Sequence, residues 1–378
     1  MRIFQVMGGS ASMLVSGNRT WIRNLHEPLL DLGHDVVLTD AAEGWDAMQR
    51  RDARARARFS DRVVDTFRRE HRRRPFELFF AYLMDGMIEP CAIDEIRRTG
   101  VLTCNFSCNN IHQFDLVDGL APHFDFNLHA ERAARAKFAA IGANALWWQM
   151  GSNPVHFRPR PLARSIPVSF VGANYALRAR YVARLLEAGI DVHAYGPAWQ
   201  YGSSTRMRSL GKRWLLAVRA IAALDFHERM AASAELADHD RRRALARRFP
   251  RHLHAPVSDE ELVELYARSH VSLGFLEVYE GHAASGPVLK HLHLREFEAP
   301  MCGALLVTGR SDELEEFFVP EREVVTYGDT EELVDKVRYY LAHSEEAQRV
   351  RSAGHARALR DHTCHRRFES LFRSVGLT

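Results

Sequence analysis

The sequence has little of several features that identify common classes of protein. Its five cysteines form no C-x-x-C pair and no evenly spaced framework. We therefore expect neither disulfides nor a structural zinc site, and a reduced, cytoplasmic setting. No G-x-G-x-x-G follows a strand-like run, which argues against a nicotinamide-dependent dehydrogenase. Lysine is scarce beside arginine and occurs only at positions 137, 212, 290 and 336.

Long apolar runs and a strong excess of one charge are also missing. The longest apolar stretch, residues 214–224, is about half the length that spans a bilayer and contains Arg219, so we expect no transmembrane helix. Residues 1–7 lead directly into a strand-like run, from which we expect no signal peptide. The net charge of +3 argues against a general nucleic-acid binder. The composition, 46% hydrophobic and 26% charged, is that of an ordinary enzyme long enough for two domains.

Strand-like runs alternate with helical patterns in the first part of the chain. Residues 3–7 predict a strand, Gly8-Gly9-Ser10 a tight turn, and residues 18–32 a helix closed by Gly33. Further strands are predicted at 35–39, 78–82, 101–105, 124–128 and 145–149. Strands separated by helices predict a parallel sheet with helices on both faces.

An irregular stretch near residues 151–167 interrupts this alternation, and the pattern then begins again. Proline and glycine punctuate the stretch, so we place a boundary there between domains at residues 1–158 and 165–360. Strands are predicted in the second domain at 168–172, 191–196, 271–275 and 304–308, with a helix at 175–188. Two such α/β domains facing one another predict a ligand cleft at the carboxyl ends of both sheets.

Two arginine-rich regions each allow two interpretations. A mostly helical insertion is predicted at residues 203–251, and its amphipathic segment 214–221 either packs on its own domain or forms a surface for a membrane or an acceptor. Eleven arginines lie between residues 50 and 74. They form either a solvated helix face or a patch that faces phosphates or a membrane.

The most informative motif spans residues 290–308. Glu298 comes early in a short helical pattern, and Arg295, three residues before it, shares its face. Cys302-Gly303 is a helix-stop signal, and the apolar residues 304–308 predict a buried strand. Amides and cations at a helix start can bind a nucleotide diphosphate while an acid binds the ribose hydroxyls. The simpler alternative is a structural ion pair between Arg295 and Glu298.

Five short segments, taken in order and spacing, resemble one family. They are Val-Ser-Phe-Val-Gly at 168–172 with Arg178, Tyr-Gly-Pro-Ala-Trp at 195–199, Pro-Val-Ser-Asp-Glu-Glu-Leu at 256–262, Arg-Glu-Phe-Glu-Ala-Pro-Met-Cys-Gly at 295–303, and His362-Thr363 with Arg366. This pattern is similar to that of the CgeB-like, spore-maturation-type branch of GT-B glycosyltransferases.

The resemblance implies an α/β GT-B fold with two facing Rossmann-like domains and a helix within residues 361–378 that crosses back to the first domain. It implies transfer of a sugar from a nucleotide diphosphate sugar, with UDP the expected nucleotide, to an unknown acceptor hydroxyl. The donor would bind in the C-terminal domain and the acceptor would face the N-terminal one. Neither a metal nor another cofactor is expected, because such sites typically stabilise the leaving diphosphate with cations and amides.

The same resemblance assigns donor contacts. Glu298 corresponds to the acid that hydrogen-bonds the donor ribose, and Arg178 and Arg295 are expected at the phosphates. Retaining relatives carry another glutamate where this chain has Lys290, which leaves retention or inversion open. Lys290 could instead neutralise the diphosphate.

Further donor contacts are expected from backbone and apolar groups. The amides from His291 to Leu294 would lie against the phosphates at the helix start. Val257 belongs to a loop that resembles the one whose backbone reads the base in this family, and Leu262 could cover the base ring. The alternation of His291 and His293 suggests a metal site, but no acidic ligands accompany the two histidines, so we expect no metal ion there.

Candidates in the N-terminal domain follow its predicted strands. Asn109 and His112 come after strand 101–105, and Asp85 after strand 78–82 is a candidate base. Gly9 and Ser10, after the first strand, would let the backbone approach a sugar or phosphate. The simpler alternatives are a surface histidine, a turn-forming aspartate and an ordinary glycine turn.

Two other functions remain as alternatives. A UDP-sugar 2-epimerase would need acids and histidines placed to remove a sugar proton, and no convincing set appears. A non-catalytic GT-B-like coat or scaffold protein would fit the absence of a glutamate at position 290 and of the family's usual histidine in the N-terminal loop.

Overall fold

The computed structural model describes residues 1–8, 17–200, 211–215, 217–218, 226–280 and 286–377. The chain forms two compact units. The first consists of Met1–His156 with His362–Thr378, and the second of Phe157–Asp361. The C-terminal segment therefore belongs to the first unit although it follows the second unit in sequence.

The first unit is built on a six-stranded sheet in which every neighbouring pair is parallel. The strand order is β2-β1-β3-β4-β5-β6. The strands are β1 (Arg2–Met7), β2 (Asp35–Asp40), β3 (Leu78–Ala81), β4 (Leu102–Ser107), β5 (Phe126–His129) and β6 (Ala145–Trp147). β1 and β3 are buried throughout, as expected of parallel strands covered on both faces.

Helices connect these strands. They are α1 (Gly17–Trp21), a π-helical turn (Ile22–His26), α2 (Glu27–Asp31), α3 (Ala42–Arg50), α4 (Ala53–Arg73), α5 (Pro90–Arg97) and α6 (Arg135–Ala140). The predicted helix at 18–32 is therefore present as three consecutive helical segments.

The arginine-rich run forms most of α4. Phe59, Val63 and Phe67 recur at a spacing of four residues and bury one face of the helix. Outward-facing arginines pair with acids on or next to neighbouring helices, for example Arg56 with Glu89, which directly precedes α5, at 2.7 Å. These exposed arginines agree with a solvated helix face, and contact of this face with phosphates or a membrane stays a prediction.

The second unit also contains a six-stranded parallel sheet, with the order β14-β13-β10-β7-β8-β9. Its strands are β7 (Ile166–Val171), β8 (Val192–Tyr195), β9 (Leu253–His254), β10 (Ser269–Leu273), β13 (Leu306–Gly309) and β14 (Val325–Tyr327). A separate antiparallel hairpin joins β11 (Glu277–Tyr279) to β12 (Val288–Lys290). This hairpin, β9 and β14 were not predicted, because two or three residues are too few for a periodic signal.

The remaining helices follow in chain order. They are α7 (Arg178–Glu187), α8 (211–215), α9 (Phe226–Arg248), α10 (Asp259–Arg268), α11 (Arg295–Met301), α12 (Asp312–Glu315), α13 (Thr330–Ala342), α14 (Ser344–Asp361) and α15 (Cys364–Ser374). α15 belongs to the first unit, which is the predicted return of the final helix.

Part of the predicted insertion at 203–251 lies outside the described residues. Within the described part, α9 confirms its helical character, and Trp214 and Leu215 on α8 are exposed. Contact of this segment with a membrane or an acceptor stays a prediction. Among the described residues, no helix combines the length and the apolar character needed to cross a bilayer.

Aromatic side chains form the centre of the second unit's core. Phe170 of β7 lies 4.6 Å from Phe275 between ring centroids, and Tyr181 of α7 stacks on Phe275 at 5.1 Å. These side chains are buried. The core therefore holds the end of β7 and the start of α7 together, and it is on this support that the candidate site is built.

Candidate functional site

Two glycine turns meet where β7 and β8 end. Gly196 follows β8 with a φ of +142°, and a Cβ on it would lie 2.4 Å from the carbonyl oxygen of Gly172. The indole Nε1 of Trp199 donates to that same oxygen at 2.7 Å, and the amide of Asn174 donates to the carbonyl of Pro197 at 2.9 Å. The turn after β8 thus holds the turn after β7, and this close approach requires a glycine at position 196.

Arg295, the first residue of α11, lies against Gly172. Its Nε donates to the carbonyl oxygen of Val171 at 2.8 Å, and its Nη2 donates to the same atom. A Cβ on Gly172 would stand 2.4 Å from Nη2, so the glycine leaves room for the guanidinium. The buried Nη1 of Arg295 has no hydrogen-bond partner in the described part of the chain. A fixed cation with an unused donor is suited to an anionic ligand.

Arg178, the first residue of α7, brings a second guanidinium to the same turn. It is 2% exposed, and its Nη1 lies 3.3 Å from the position of a Cβ on Gly172. Its Nη2 donates to the hydroxyl of Tyr175 at 2.7 Å and to Nε2 of His293 at 2.9 Å. Burial, with a smaller contribution from Arg295, lowers the pKa of Arg178 to about 10. The group therefore remains charged at neutral pH.

The carboxylate of Glu296 holds the start of α11 in place through hydrogen bonds. It accepts hydrogen bonds from the amide of His293 at 2.8 Å and from the hydroxyl of Thr308 at 3.1 Å. The amide of His291 donates to the carbonyl of Leu276 at 3.1 Å. These bonds correct one detail of the sequence interpretation, because the amides of His291 and His293 are engaged within the protein and do not point freely at a ligand.

Glu298 differs from Glu296 in its surroundings. It is 5% exposed, and its carboxylate has no hydrogen bond or ion pair among the described residues. Arg295 and Glu298 form no direct ion pair there. Burial, with a smaller contribution from nearby Asp259, raises the pKa of Glu298 to about 8, although the charge of Arg295 is near enough to act on this pKa and oppose the rise. The acid keeps its hydrogen-bonding capacity for groups outside the protein.

The loop of residues 255–258 leads into α10. Ser258 accepts a hydrogen bond from the amide of Glu261 at 3.2 Å, and the Glu261 carboxylate accepts one from the amide of Ser258 at 2.7 Å. This capping box fixes the start of the helix. Val257 and Leu262, the predicted base contacts, flank the capped turn, and both are partly buried. Their contact with a base stays a prediction.

Lys290 lies at the end of β12, opposite Glu277 in the hairpin. Its side chain is exposed, and its Nζ donates to the carbonyl of Arg310 at 3.0 Å. A role of Lys290 at the sugar or the diphosphate stays a prediction. Leu294 precedes α11 as its partly buried N-cap residue.

In the first unit, Asn109 and His112 belong to the turn after β4. Asn109 adopts a φ of +66°, and the carboxylate of Glu131 accepts hydrogen bonds from the amides of Asn109 at 2.6 Å and Asn110 at 3.2 Å. The amide of His112 donates to the carbonyl of Asn109 at 3.1 Å. Glu131 is 2% exposed and was missed by the sequence interpretation, although its place just after β5 is a usual one for a functional acid.

Asp85 shapes a turn in the same unit. Its carboxylate accepts a hydrogen bond from the amide of Gly119 at 2.9 Å, and its own amide donates to Leu116 at 2.8 Å. Burial raises the pKa of Asp85. The simpler alternative, a turn-forming aspartate, is therefore present, and a role as a base stays a prediction. Gly9 and Ser10 lie outside the described residues.

The fold defines the class of protein. The structure is similar to that of a glycosyltransferase from Rickettsia africae ESF-5. The alignment covers 99% of this chain and 97% of the Rickettsia protein, with a TM-score of 0.63 and 9% identity. The alignment with sucrose-phosphate synthase from Thermosynechococcus elongatus covers 100% of this chain and 99% of that protein, with a TM-score of 0.60 and 11% identity. The alignment with Anabaena HepE, solved in complex with UDP-glucose, covers 100% of both chains, with a TM-score of 0.58 and 11% identity. Two parallel α/β sheets of this kind constitute the GT-B fold, and the predicted fold class is confirmed.

The family follows from the sequence itself. A family model described as "Glycosyl transferase-like" matches residues 178–373, which is more than half of the chain. The chain therefore belongs to the glycosyl transferase-like family. The matched residues begin at Arg178 and include Arg295 and Glu298. A comparison with curated proteins finds no match.

Proposed function

We propose that this protein transfers a sugar, of the hexosyl type, from a UDP-sugar to an acceptor hydroxyl without a metal, as a member of the CgeB-like branch. Membership of the glycosyl transferase-like family supports sugar transfer. One observation carries the assignment of the donor site: Arg178 and Arg295, from two different helices, converge on Gly172.

The two guanidiniums would bind the diphosphate of the donor. When the sugar leaves, negative charge grows on the phosphate oxygens, and fixed cations stabilise that charge most when they need no rearrangement. Arg295 is held by the carbonyl of Val171, and Arg178 by the carbonyl of Ala173 at 3.0 Å. Both are therefore oriented before a ligand arrives. Lys290 would supply a further, more mobile charge near the sugar or the diphosphate.

Glu298 would hold the ribose. Its carboxyl group is buried and makes no hydrogen bond among the described residues, so it can accept a hydrogen bond from one ribose hydroxyl and, while protonated, donate one to the other. Val257 and Leu262 would contact the base, and His291 and Leu294 would line the donor near α11. UDP is the preferred nucleotide because HepE, which shares the fold, was solved with UDP-glucose.

The acceptor side is assigned to the first unit, with Asn109, His112 and Asp85 as candidates for contacts and for the base. Gly9 and Ser10 belong to the same assignment. A cytoplasmic location and a peripheral membrane contact through the basic helices are part of the proposal. Neither a resident cofactor nor nucleic acid takes part in it.

Calorimetry with UDP tests the donor site. Glu298→Ala should weaken UDP binding by about tenfold, since two ribose hydrogen bonds are lost and each contributes roughly 0.5–1.5 kcal/mol. Glu264→Ala is a matched control, because Glu264 is an exposed acid on α10 whose one ion pair among the described residues is with Arg268 of its own helix, at 3.6 Å. Unchanged affinity in the Glu298 variant, or absence of UDP binding to the unaltered protein, would overturn the assignment.

Turnover tests the reaction. Incubation with UDP-sugars and a panel of acceptors should release UDP together with a glycosylated product, whose anomeric configuration by NMR distinguishes retention from inversion. Formation of a 2-epimer from UDP-N-acetylglucosamine without an acceptor would instead favour the epimerase alternative. UDP binding without turnover across the panel would favour the scaffold alternative.

A further inference from the structure

A second cluster of side chains lies on the second unit, at the edge of its sheet formed by β8 and β9. Asp191 immediately precedes β8 and His193 lies within it, while His252 ends the short 3₁₀ turn before β9 and His254 ends β9. Gly196 and the donor turns follow β8 at its other end. Asp191 precedes Gly196 by five residues of extended chain, roughly 16 Å. His254 lies between the two places, since its carbonyl accepts a hydrogen bond from the amide of Gly196 at 3.3 Å. The cluster therefore borders the donor turns, but Asp191, His193 and His252 are not among the residues assigned to the donor.

Its separations are those of a metal site. Oδ1 of Asp191 lies 3.1 Å from Nε2 of His193 and 3.3 Å from Nδ1 of His252, and the three ligand atoms lie within 4.8 Å of one another. Tetrahedral zinc with bonds of about 2.0–2.1 Å places its ligand atoms roughly 3.3–3.4 Å apart. The three side chains therefore need little movement to enclose an ion.

His254, the fourth side chain of the cluster, orients the imidazole of His193. Nδ1 of His193 and Nε2 of His254 are 2.9 Å apart. When Nδ1 of His193 carries the hydrogen and donates it to His254, Nε2 presents its lone pair towards Asp191 and His252. An imidazole fixed by a hydrogen bond at its other nitrogen is the usual arrangement of a metal-bound histidine. The ring of Tyr195 stacks on His254 at 4.4 Å and holds it in place.

The surroundings favour a cation. Histidines are the only basic partners of the Asp191 carboxylate among the described residues, since no arginine or lysine pairs with it there. The side chains of His193 and His252 are 25% and 28% exposed, so an ion can enter and water can complete its coordination. Two imidazoles and one carboxylate suit zinc and its neighbours in the transition series better than magnesium, which prefers oxygen ligands.

We propose that Asp191, His193 and His252 bind one divalent transition-metal ion, with zinc the expected ion. This proposal departs from the expectation of no metal site, which rested on the cysteine spacing and on His291 and His293. The ion proposed here would be structural and takes no part in the proposed sugar transfer. The ion would join the residues before β9 to the start of β8. It would thereby anchor the segment that leads into residues 255–258.

Metal binding to the chelator-treated, full-length protein tests the proposal. Calorimetry with zinc should give one strong site per chain, and cobalt should give the intense visible absorption of tetrahedral coordination. His252→Ala and His193→Ala should each weaken zinc binding by more than about tenfold, and His254→Ala by roughly 10- to 100-fold. Magnesium should not compete.

His343→Ala is the matched control, because His343 stacks on Tyr339 at 4.0 Å and, in the described part of the chain, belongs to no group of side chains placed to bind a metal. Its zinc affinity should equal that of the unaltered protein. Melting of each variant without metal establishes that it is folded, and Asp191→Asn supplies a second, isosteric test if a histidine variant does not fold. The proposal would be overturned if Asp191→Asn and the folded histidine variants bound zinc as tightly as the unaltered protein does. It would also be overturned if the unaltered protein had no stoichiometric zinc site.

Discussion

The Nε of Arg295 donates to the carbonyl oxygen of Val171 at 2.8 Å, although 124 positions separate the two residues in the chain. This contact joins the start of α11 to the end of β7. It also explains why residue 172 has no side chain, since the guanidinium occupies the space that a Cβ would need. A charged group that is held by a backbone carbonyl keeps its net charge for another partner.

Gly172→Ala should therefore damage the donor site through Arg295. The new Cβ would lie 2.4 Å from Nη2 of that arginine, so the guanidinium must move. We expect UDP affinity to fall by at least about tenfold, and stability to fall by roughly 1–3 kcal/mol, which is typical of overpacking. Gly211→Ala is the control, because no atom of the described residues lies within 4 Å of its Cβ position. Unchanged UDP affinity in a folded Gly172 variant would contradict this account.

Arg295→Lys separates recognition of the diphosphate from recognition of the nucleoside. Lysine keeps the charge but loses the forked donor geometry. Calorimetry should show a larger loss of affinity for UDP than for uridine, by about tenfold, if the group binds phosphates. Equal losses for both ligands would indicate that Arg295 only supports the fold.

Glu298→Gln should change how stability depends on pH. The pKa of Glu298 rises from an ordinary 4.5 to about 8 in the folded chain, so the folded state binds the proton more tightly than the unfolded state. The stability that this acid contributes is complete below pH 4.5 and is lost as the pH rises through 8. Glutamine does not ionise and avoids this loss.

The variant should thus match the unaltered protein at low pH and exceed it at neutral pH. At about 1.4 kcal/mol per pH unit, the gain at pH 7 is at most roughly 3 kcal/mol. Thermal unfolding across this range measures it. Glu264→Gln, an exposed acid, should show no such trend, and a Glu298→Gln curve parallel to that of the unaltered protein would contradict the burial argument.

Lys290→Ala should mainly lower turnover. The side chain is exposed and its one described bond is to the carbonyl of Arg310, so the stability loss should stay below about 1 kcal/mol. If Lys290 stabilises the leaving diphosphate, kcat should fall by about tenfold or more while UDP affinity changes little. Steady-state kinetics with calorimetry measures both quantities. A purely structural residue would leave kcat unaffected.

Much of the fold was predictable from local pattern. Ten strands were predicted, and each corresponds to a strand of the structure, because buried parallel strands are short apolar runs bounded by turn residues. The start of α7 was placed three residues too early. Ala176 adopts a φ of +50° and keeps residues 173–177 out of the helix, which its side chain does not signal.

The candidate site was predictable only in part. Arg178, Arg295 and Glu298 were identified from order and spacing along the chain. Tyr175, Glu296 and Glu131 were not, because their importance lies in contacts with distant residues. Glu296 and Glu298 look equivalent in sequence, yet one is bonded to His293 and Thr308 while the other has no such bond among the described residues.

By itself, then, the sequence determined two α/β units, their parallel strands and the family, because periodicity and apolar runs report which residues are buried. Only the tertiary structure decided that Arg178 and Arg295 share one glycine turn, that Glu298 keeps its hydrogen-bonding capacity, and that Asp191 meets His193 and His252. The reason is physical: hydrogen bonds and burial of charge depend on distances between side chains, and folding sets those distances independently of separation along the chain.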